Sequence, residues 1–223
     1  YILFMAGAGV DMGLPDFRSS NLFWQQLNHP GITRYEDSSD SKWFDSEPEF
    51  MWGLNYHQLD MYRNAEIHAG YEVLVKLAKM KDDNYFCFTT NIDGVLQRCG
   101  LNKNKVREVH GNIHRLQCTS SKCVNSSNER DAWIPSTPLQ LAYDPVTMVV
   151  DTAITPLPVC PHCQEERISR PNVWFCTDSN YVYYKKYDAI NKKYFEFINN
   201  YDIQSTNSNS NSNSNSNSNS NSN

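Results

Sequence analysis

The amino-acid sequence predicts an α/β fold built on a parallel sheet, interrupted by a metal-stapled insert and followed by a low-complexity tail. Three observations carry that expectation. Two short apolar runs, Ile2-Leu3-Phe4-Met5 and Tyr85 to Thr89, are separated by a helical pattern, as in a strand–helix–strand unit. Four cysteines fall into two close pairs around a proline-rich stretch. The last seventeen residues, Asn207 to Asn223, alternate strictly between Asn and Ser. Such a tract has no side chain to bury and is expected to be disordered.

In chain order, Ile2 to Met5 is uniformly apolar and stops at Gly7-Ala8-Gly9, which suits a buried strand feeding a tight turn. From Ala65 to Met80, Ile67, Tyr71, Leu74, Val75 and Ala78 recur at helical spacing and predict an amphipathic helix. Tyr85 to Thr89 is the second buried strand. It leads through Asn91-Ile92-Asp93 into a short helix that Gly100 can cap. Residues 113–163 hold both cysteine pairs and prolines at 135, 138, 145, 156, 158 and 161, which leaves little room for helix. Asn172-Val173-Trp174-Phe175 reads as a further strand, and Tyr181 to Tyr201 as helical in its middle. No repeat of solenoid length is present.

Composition narrows the function classes. The formal charge of −5 and pI near 5.7 argue against nucleic-acid binding. The longest apolar run, Tyr1 to Val10, is half a bilayer span, so no membrane association is expected. No basic segment precedes that run, so the chain is expected to be intracellular, cytoplasmic or nuclear, and not secreted. It opens on Tyr rather than Met, as expected where the natural N-terminus is missing.

Cys118-x4-Cys123 and Cys160-x2-Cys163 are spaced to bring four thiolates to one point. Four soft sulfur ligands in a closed tetrahedron favour structural Zn²⁺ over a catalytic metal, which needs an open position. His162 lies between two of these ligands. Of the three single cysteines, Cys87 and Cys99 read as small buried hydrophobes, and Cys176 stands apart.

The other candidates are ambiguous one by one. Gly7-Ala8-Gly9 permits close approach to a pyrophosphate, but a tight turn needs the same residues. Asp16-Phe17-Arg18 is either a functional loop or a local ion pair. Asn91 and Asp93 stand where an α/β sheet holds its ligand crevice, yet Asp93 would equally cap the following helix while Asn91 makes a turn. His110, with His114 four residues later, has the chemistry of a general base near neutral pH or an ordinary structural role.

In combination they become specific. Gly7-Ala8-Gly9, Gly13-Leu14-Pro15-Asp16-Phe17-Arg18, Thr90-Asn91-Ile92-Asp93-Gly94, Val109-His110-Gly111 and the two cysteine pairs occur in that order. The chain therefore resembles the sirtuins, NAD-dependent protein-lysine deacylases, from about Ile2 to about Asp178. The resemblance implies a partial Rossmann-like sheet over residues 1–112 and 164–204, a zinc-binding module over 113–163 and a disordered tail over 205–223.

It also implies roles. Gly7, Ala8 and Gly9 match the loop that meets the NAD phosphates, and Asp16, Phe17 and Arg18 match the mobile cofactor loop. Asn91 and Asp93 match the pocket for nicotinamide and its ribose. His110 matches the general base that activates a ribose hydroxyl after the acyl oxygen attacks the anomeric carbon. Cys118, Cys123, Cys160 and Cys163 match the structural zinc ligands. The expected cofactors are thus NAD and structural Zn²⁺, and the expected partner is an acyl-lysine protein or peptide.

Several departures accompany the likeness. The segment between Gly9 and Gly13 is two residues short, Thr90 stands where the family has Gln, and Phe175-Cys176-Thr177-Asp178 lacks the glycine of the family's groove motif. Nothing after Asp178 matches the adenosine-binding half, so the chain is expected to be a C-terminally truncated member. NAD hydrolysis at the same pocket, or a non-catalytic zinc-stabilised remnant acting as a binding module, are the competing readings.

Overall fold

The computed structural model describes residues 1–7, 27, 29–125, 132–163, 168–176, 178–182 and 188–200. Its centre is a parallel sheet of three strands, β1 (Ile2–Ala6), β2 (Tyr85–Thr89) and β3 (Val106–Glu108), with β2 in the middle. Ile2 lies opposite Tyr85 and Ala6 opposite Thr89, while Cys87 faces Val106 and Thr89 faces Glu108.

Strand alternation sends successive side chains to opposite faces, and both faces are covered. Phe4, Tyr85, Cys87 and Val106 pack on one side with Tyr71 and Ala78. Those two belong to α4 (Ala69–Met80), the helix expected from the apolar spacing. On the other face, Leu3 and Phe86 meet Ile190, Tyr194 and Phe197 of α7 (188–200). Coverage of both faces explains why β1 and β2 read as unbroken apolar runs. Cys87 is fully buried in this core and Cys99 half-buried, while Cys176 is exposed.

Three helices precede α4: α1 (Tyr35–Ser38), α2 (Trp43–Ser46) and α3 (Pro48–Asn64). The long α3 escapes the sequence pattern because it is buried around most of its circumference. Phe50, Met51, Trp52, Leu54, Tyr56 and Leu59 all enter the larger core. Its local signals are Pro48 at the first position and Glu49 in the first turn. At Gly53 the helix lets another chain segment touch its backbone, since a Cβ there would lie 1.9 Å from the Met148 carbonyl oxygen.

After β2, α5 (Val95–Arg98) ends at Gly100, whose φ of 104° only glycine adopts easily. A second sheet pairs β4 (Gly111–Cys118) antiparallel with β5 (Ser169–Val173), and α6 (Ser121–Asn125) follows β4. β5 therefore starts and ends earlier than the sequence suggests. Trp174 lies just past it, 55 % exposed, with its N–H on the His110 carbonyl at 3.0 Å. Beneath β5, Arg170 and Asp178 form a buried ion pair at 2.5 Å. No helix among the described residues is long and apolar enough to cross a membrane. The Asn-Ser tail lies outside the described residues.

Candidate functional site

The C-terminal ends of β1, β2 and β3 form one edge, the place where an open parallel sheet presents its ligand crevice. Gly7 follows β1 there, and a Cβ on it would sit 3.3 Å from Thr90 Oγ1. The Thr90 N–H donates to the Ala6 carbonyl at 3.2 Å. The Thr90 carbonyl in turn accepts from His110 Nδ1 at 3.0 Å. Three segments that the sequence separates by up to a hundred residues thus converge on Thr90.

The His110 bond sets the ring's chemistry. A carbonyl oxygen can only accept, so Nδ1 carries a proton, and Nε2 is the basic atom whenever the ring is neutral. The ring's face is fixed by Trp174, whose indole meets it edge-on with centroids 5.9 Å apart.

Asn91 and Asp93 divide the two readings that the sequence leaves open. The Asn91 backbone N–H donates to Thr89 Oγ1 at 3.0 Å, and no bond from its side chain to a described residue is present. Asp93 does cap α5, with Oδ1 accepting from the Val95 N–H at 2.8 Å. Burial pushes the Asp93 carboxyl above the usual carboxylate range, and nearby Glu108 adds to the rise. The Val95 N–H and Arg98 oppose it.

Behind this edge lies a polar network that sequence reasoning missed. Glu108 is 3 % exposed, accepts from Asn112 Nδ2 at 2.6 Å and pairs with Arg115 at 3.2 Å. His114 Nε2–H donates to the Asp93 carbonyl at 3.0 Å, which ties β4 to the Asn91–Asp93 turn. Burial pushes the His114 imidazole below its ordinary range. The nearest signal in the sequence is Glu108 itself, an acid two residues before His110.

A cleft opens beside these groups. Its apolar wall includes Leu54, Ile92, Val173 and Phe175, and Trp174 stands in its lining. Ile92 is the residue between Asn91 and Asp93, so the cleft borders the same turn. Ser38 of α1 and Asn55 and Gln58 of α3 supply polar lining. None of these three was legible as functional. Ala8, Gly9, Asp16, Phe17 and Arg18 lie outside the described residues.

The second centre is the cysteine cluster. Cys118 ends β4, Cys123 lies in α6, and Cys160 and Cys163 flank a turn, with all four sulfurs within 4.8 Å of one another. Cys118 Sγ lies 3.4 Å from Cys163 Sγ, and Cys123 Sγ 3.8 Å from Cys160 Sγ. A Zn–S distance of about 2.3 Å places sulfurs about 3.8 Å apart in a regular tetrahedron, so the donor set and its size fit a zinc ion. The Ser120 and His162 N–H groups point at Cys118 and Cys160 Sγ, each at 3.4 Å, as donors that support charged sulfur. The His162 ring packs edge-on against Trp133 instead of joining the sulfurs.

A parallel sheet with polar groups gathered at its C-terminal edge, beside a four-thiol centre suited to a metal ion, defines a Rossmann-type α/β fold with a cysteine cluster. The chain belongs to the Sir2 family, whose model matches residues 5–195. It is 27 % identical over 139 residues to an NAD-dependent protein deacylase of Aquifex aeolicus, a match covering 61 % of this chain and 54 % of that protein. To an NAD-dependent protein deacylase of Leptospira interrogans it is 28 % identical over 172 residues, covering 76 % and 57 %. The fold is similar to that of a Sir2 homolog solved in complex with NAD, with a TM-score of 0.59 at 20 % identity, covering 86 % of this chain and 61 % of that one. The chain spans about half the length of the curated relatives it matches.

Proposed function

We propose that this chain removes acyl groups from protein lysine side chains in an NAD-dependent reaction, with His110 as general base and Asn91 in the nicotinamide pocket. The observation that carries the reading is the convergence of Gly7 and His110 on Thr90, beside Asn91, at a sheet edge whose Asn91–Asp93 turn borders a cleft through Ile92. The names of the curated relatives support it.

The residues at the edge fit a dinucleotide. Gly7 offers a backbone unobstructed by Cβ, and Asn91 an amide with no described partner. We assign the cofactor to Gly7, Ala8, Gly9, Asp16, Phe17, Arg18, Asn91 and Asp93, and structural zinc to Cys118, Cys123, Cys160 and Cys163. Bound NAD would supply nicotinamide as the leaving group on an anomeric carbon. His110 takes up the proton of a hydroxyl at Nε2 while Nδ1 stays bonded to Thr90, so the ring keeps its orientation as it becomes charged. Trp174 shields that ring, and Asp93 holds the turn bearing Asn91 against α5.

The test is nicotinamide release from millimolar NAD in the presence of an acetylated peptide. His110→Ala should lower the rate about 10²–10⁴-fold. His68→Ala, which alters only the side-chain cap of α4, should leave it unchanged. Activity that survives His110→Ala would overturn the assignment of the base.

A further inference from the structure

We infer that His114 is a positioning residue for the nicotinamide pocket: its imidazole holds the turn that carries Asn91 and Asp93, and so sets the affinity for the nicotinamide end of NAD. This role rests on the deacylase reading above, which places nicotinamide against those two residues.

The turn is held from β4 at three successive residues. The Ile92 carbonyl accepts from the Ile113 N–H at 3.0 Å, a backbone bond that does not depend on side-chain identity. The Asp93 carbonyl accepts from His114 Nε2 at 3.0 Å, and this bond does depend on it. Gly94 follows with φ 68°, and a Cβ there would lie 3.1 Å from His114 Cδ2 and 3.3 Å from Asn112 Nδ2. The turn therefore rests directly on Asn112 and His114.

The imidazole is itself oriented from behind. Asn112 Oδ1 accepts the His114 backbone N–H at 2.9 Å, while Asn112 Nδ2 donates to the Glu108 carboxylate at 2.6 Å. A carboxylate only accepts, so the Asn112 amide cannot flip, and its oxygen stays on the His114 N–H. Burying a carboxylate is costly unless it is paired, and Glu108 is held by Arg115 at 3.2 Å. The buried charge thus fixes an amide, the amide fixes the backbone of His114, and the ring fixes the Asp93 carbonyl.

The two histidines of this segment are used in opposite senses. His110 turns Nδ1–H inward to the Thr90 carbonyl, whereas His114 turns Nε2–H inward to the Asp93 carbonyl. Burial keeps the His114 imidazole below its ordinary range and Arg63 and Arg98 push the same way, while the bond to Asp93 and the Glu108 charge oppose them. The ring is therefore uncharged at neutral pH, with its proton committed to the turn, and its part is mechanical. Without Nε2–H the Asp93 carbonyl loses that donor, and Gly94, free of Cβ, offers little resistance to rotation of the turn.

Calorimetry on the zinc-replete 223-residue chain tests this role without turnover. The probes are NAD and ADP-ribose, which carries a hydroxyl in place of nicotinamide. His114→Leu should weaken NAD binding about tenfold, the scale of one buried hydrogen bond, and leave ADP-ribose binding unchanged. His114→Gln should restore NAD binding, because a glutamine amide reaches the position of Nε2. His114→Asn ends nearer the position of Nδ1 and should not. These two polar variants carry the comparison where His114→Leu fails to fold. NAD binding unchanged in His114→Leu and His114→Asn, equal weakening of both probes, His114→Gln no better than His114→Asn, or no NAD binding by the parent would each overturn the inference. Failure of the deacylase reading has a different signature: the binding pattern holds, but no deacetylated peptide forms from NAD and an acetylated peptide.

Discussion

Truncating Asp178 to alanine should be among the most damaging single changes outside the zinc centre. The Asp178 carboxylate meets Arg170 at 2.5 Å, with side-chain exposures of 0 % and 2 %. Among the described residues, Arg170 is otherwise held by the Val173 carbonyl at 3.3 Å and the Phe175 ring face at 5.5 Å. Burial already lowers the guanidinium's hold on its proton, and Asp178 is the main group that opposes this, ahead of Asp45. Asp178→Ala leaves a buried cation beneath β5 with one weak acceptor and only the unbonded charge of Asp45 nearby, and breaking a buried pair in this way costs about 3–5 kcal/mol. Against a domain stability of about 5–15 kcal/mol that is a large fraction. The exposed pair Arg34–Asp37, with Arg34 67 % exposed, is the control, and Arg34→Ala should cost less than about 1 kcal/mol. Urea unfolding followed by tryptophan fluorescence reads both, since Trp174 borders the same strand. Replacing both partners, Arg170→Met with Asp178→Leu, should recover most of the loss, because neither charge is then buried alone. An Asp178→Ala variant within about 1 kcal/mol of the parent, or a double variant no better than the single, would refute the reasoning.

Three further outcomes follow from the geometry. Gly53→Ala should destabilise by about 1–3 kcal/mol in the same assay, because its Cβ would collide with the Met148 carbonyl oxygen, a backbone atom; an unchanged unfolding midpoint would show that the packed segment yields freely. Asp93→Asn keeps an acceptor for the Val95 N–H but removes a carboxyl whose folded pKa is raised. Such a group binds its proton more tightly folded than unfolded, so its contribution declines as pH rises from the usual 3.8 through the raised value. Asp93→Asn should thus raise the melting temperature at pH 7 and leave it nearly unchanged at pH 3, and an equal gain at both would contradict the assignment. Cys160→Ser should lower zinc content well below one per chain and loosen residues 132–163 to proteolysis, because ligand binding supplies folding free energy to such a module. Full zinc occupancy in that variant would remove Cys160 from the ligand set.

What the sequence revealed and what it concealed follow from how each element is buried. β1 and β2 were readable because α4 and α7 cover both faces of the sheet, so no position needed to be polar. The cysteine centre was readable because its chemistry resides in residue type and spacing. The structure brings Cys118, Cys123, Cys160 and Cys163 together as expected. α3 was hidden for the opposite reason to β1: a helix buried nearly all round shows no apolar stripe, and its Asn55 and Gln58 look like any helical amides. Glu108 and Arg115 pair across the turn between β3 and β4, which belong to different sheets, a contact that no local pattern specifies. Asp93 shows that the two readings of one residue need not exclude each other. It caps α5, and it also stands in the turn that borders the cleft.

The central claim is that the edge formed by Gly7, Asn91 and His110 couples NAD cleavage to removal of an acyl group. Quantifying nicotinamide and deacetylated peptide together, in one reaction containing millimolar NAD and an acetylated peptide, tests it most directly. The two products should appear in equal amounts, and both should vanish in His110→Ala. Nicotinamide formed without deacetylated peptide would mean that water takes the place of the acyl oxygen. Neither product formed by zinc-replete protein would contradict the catalytic reading altogether.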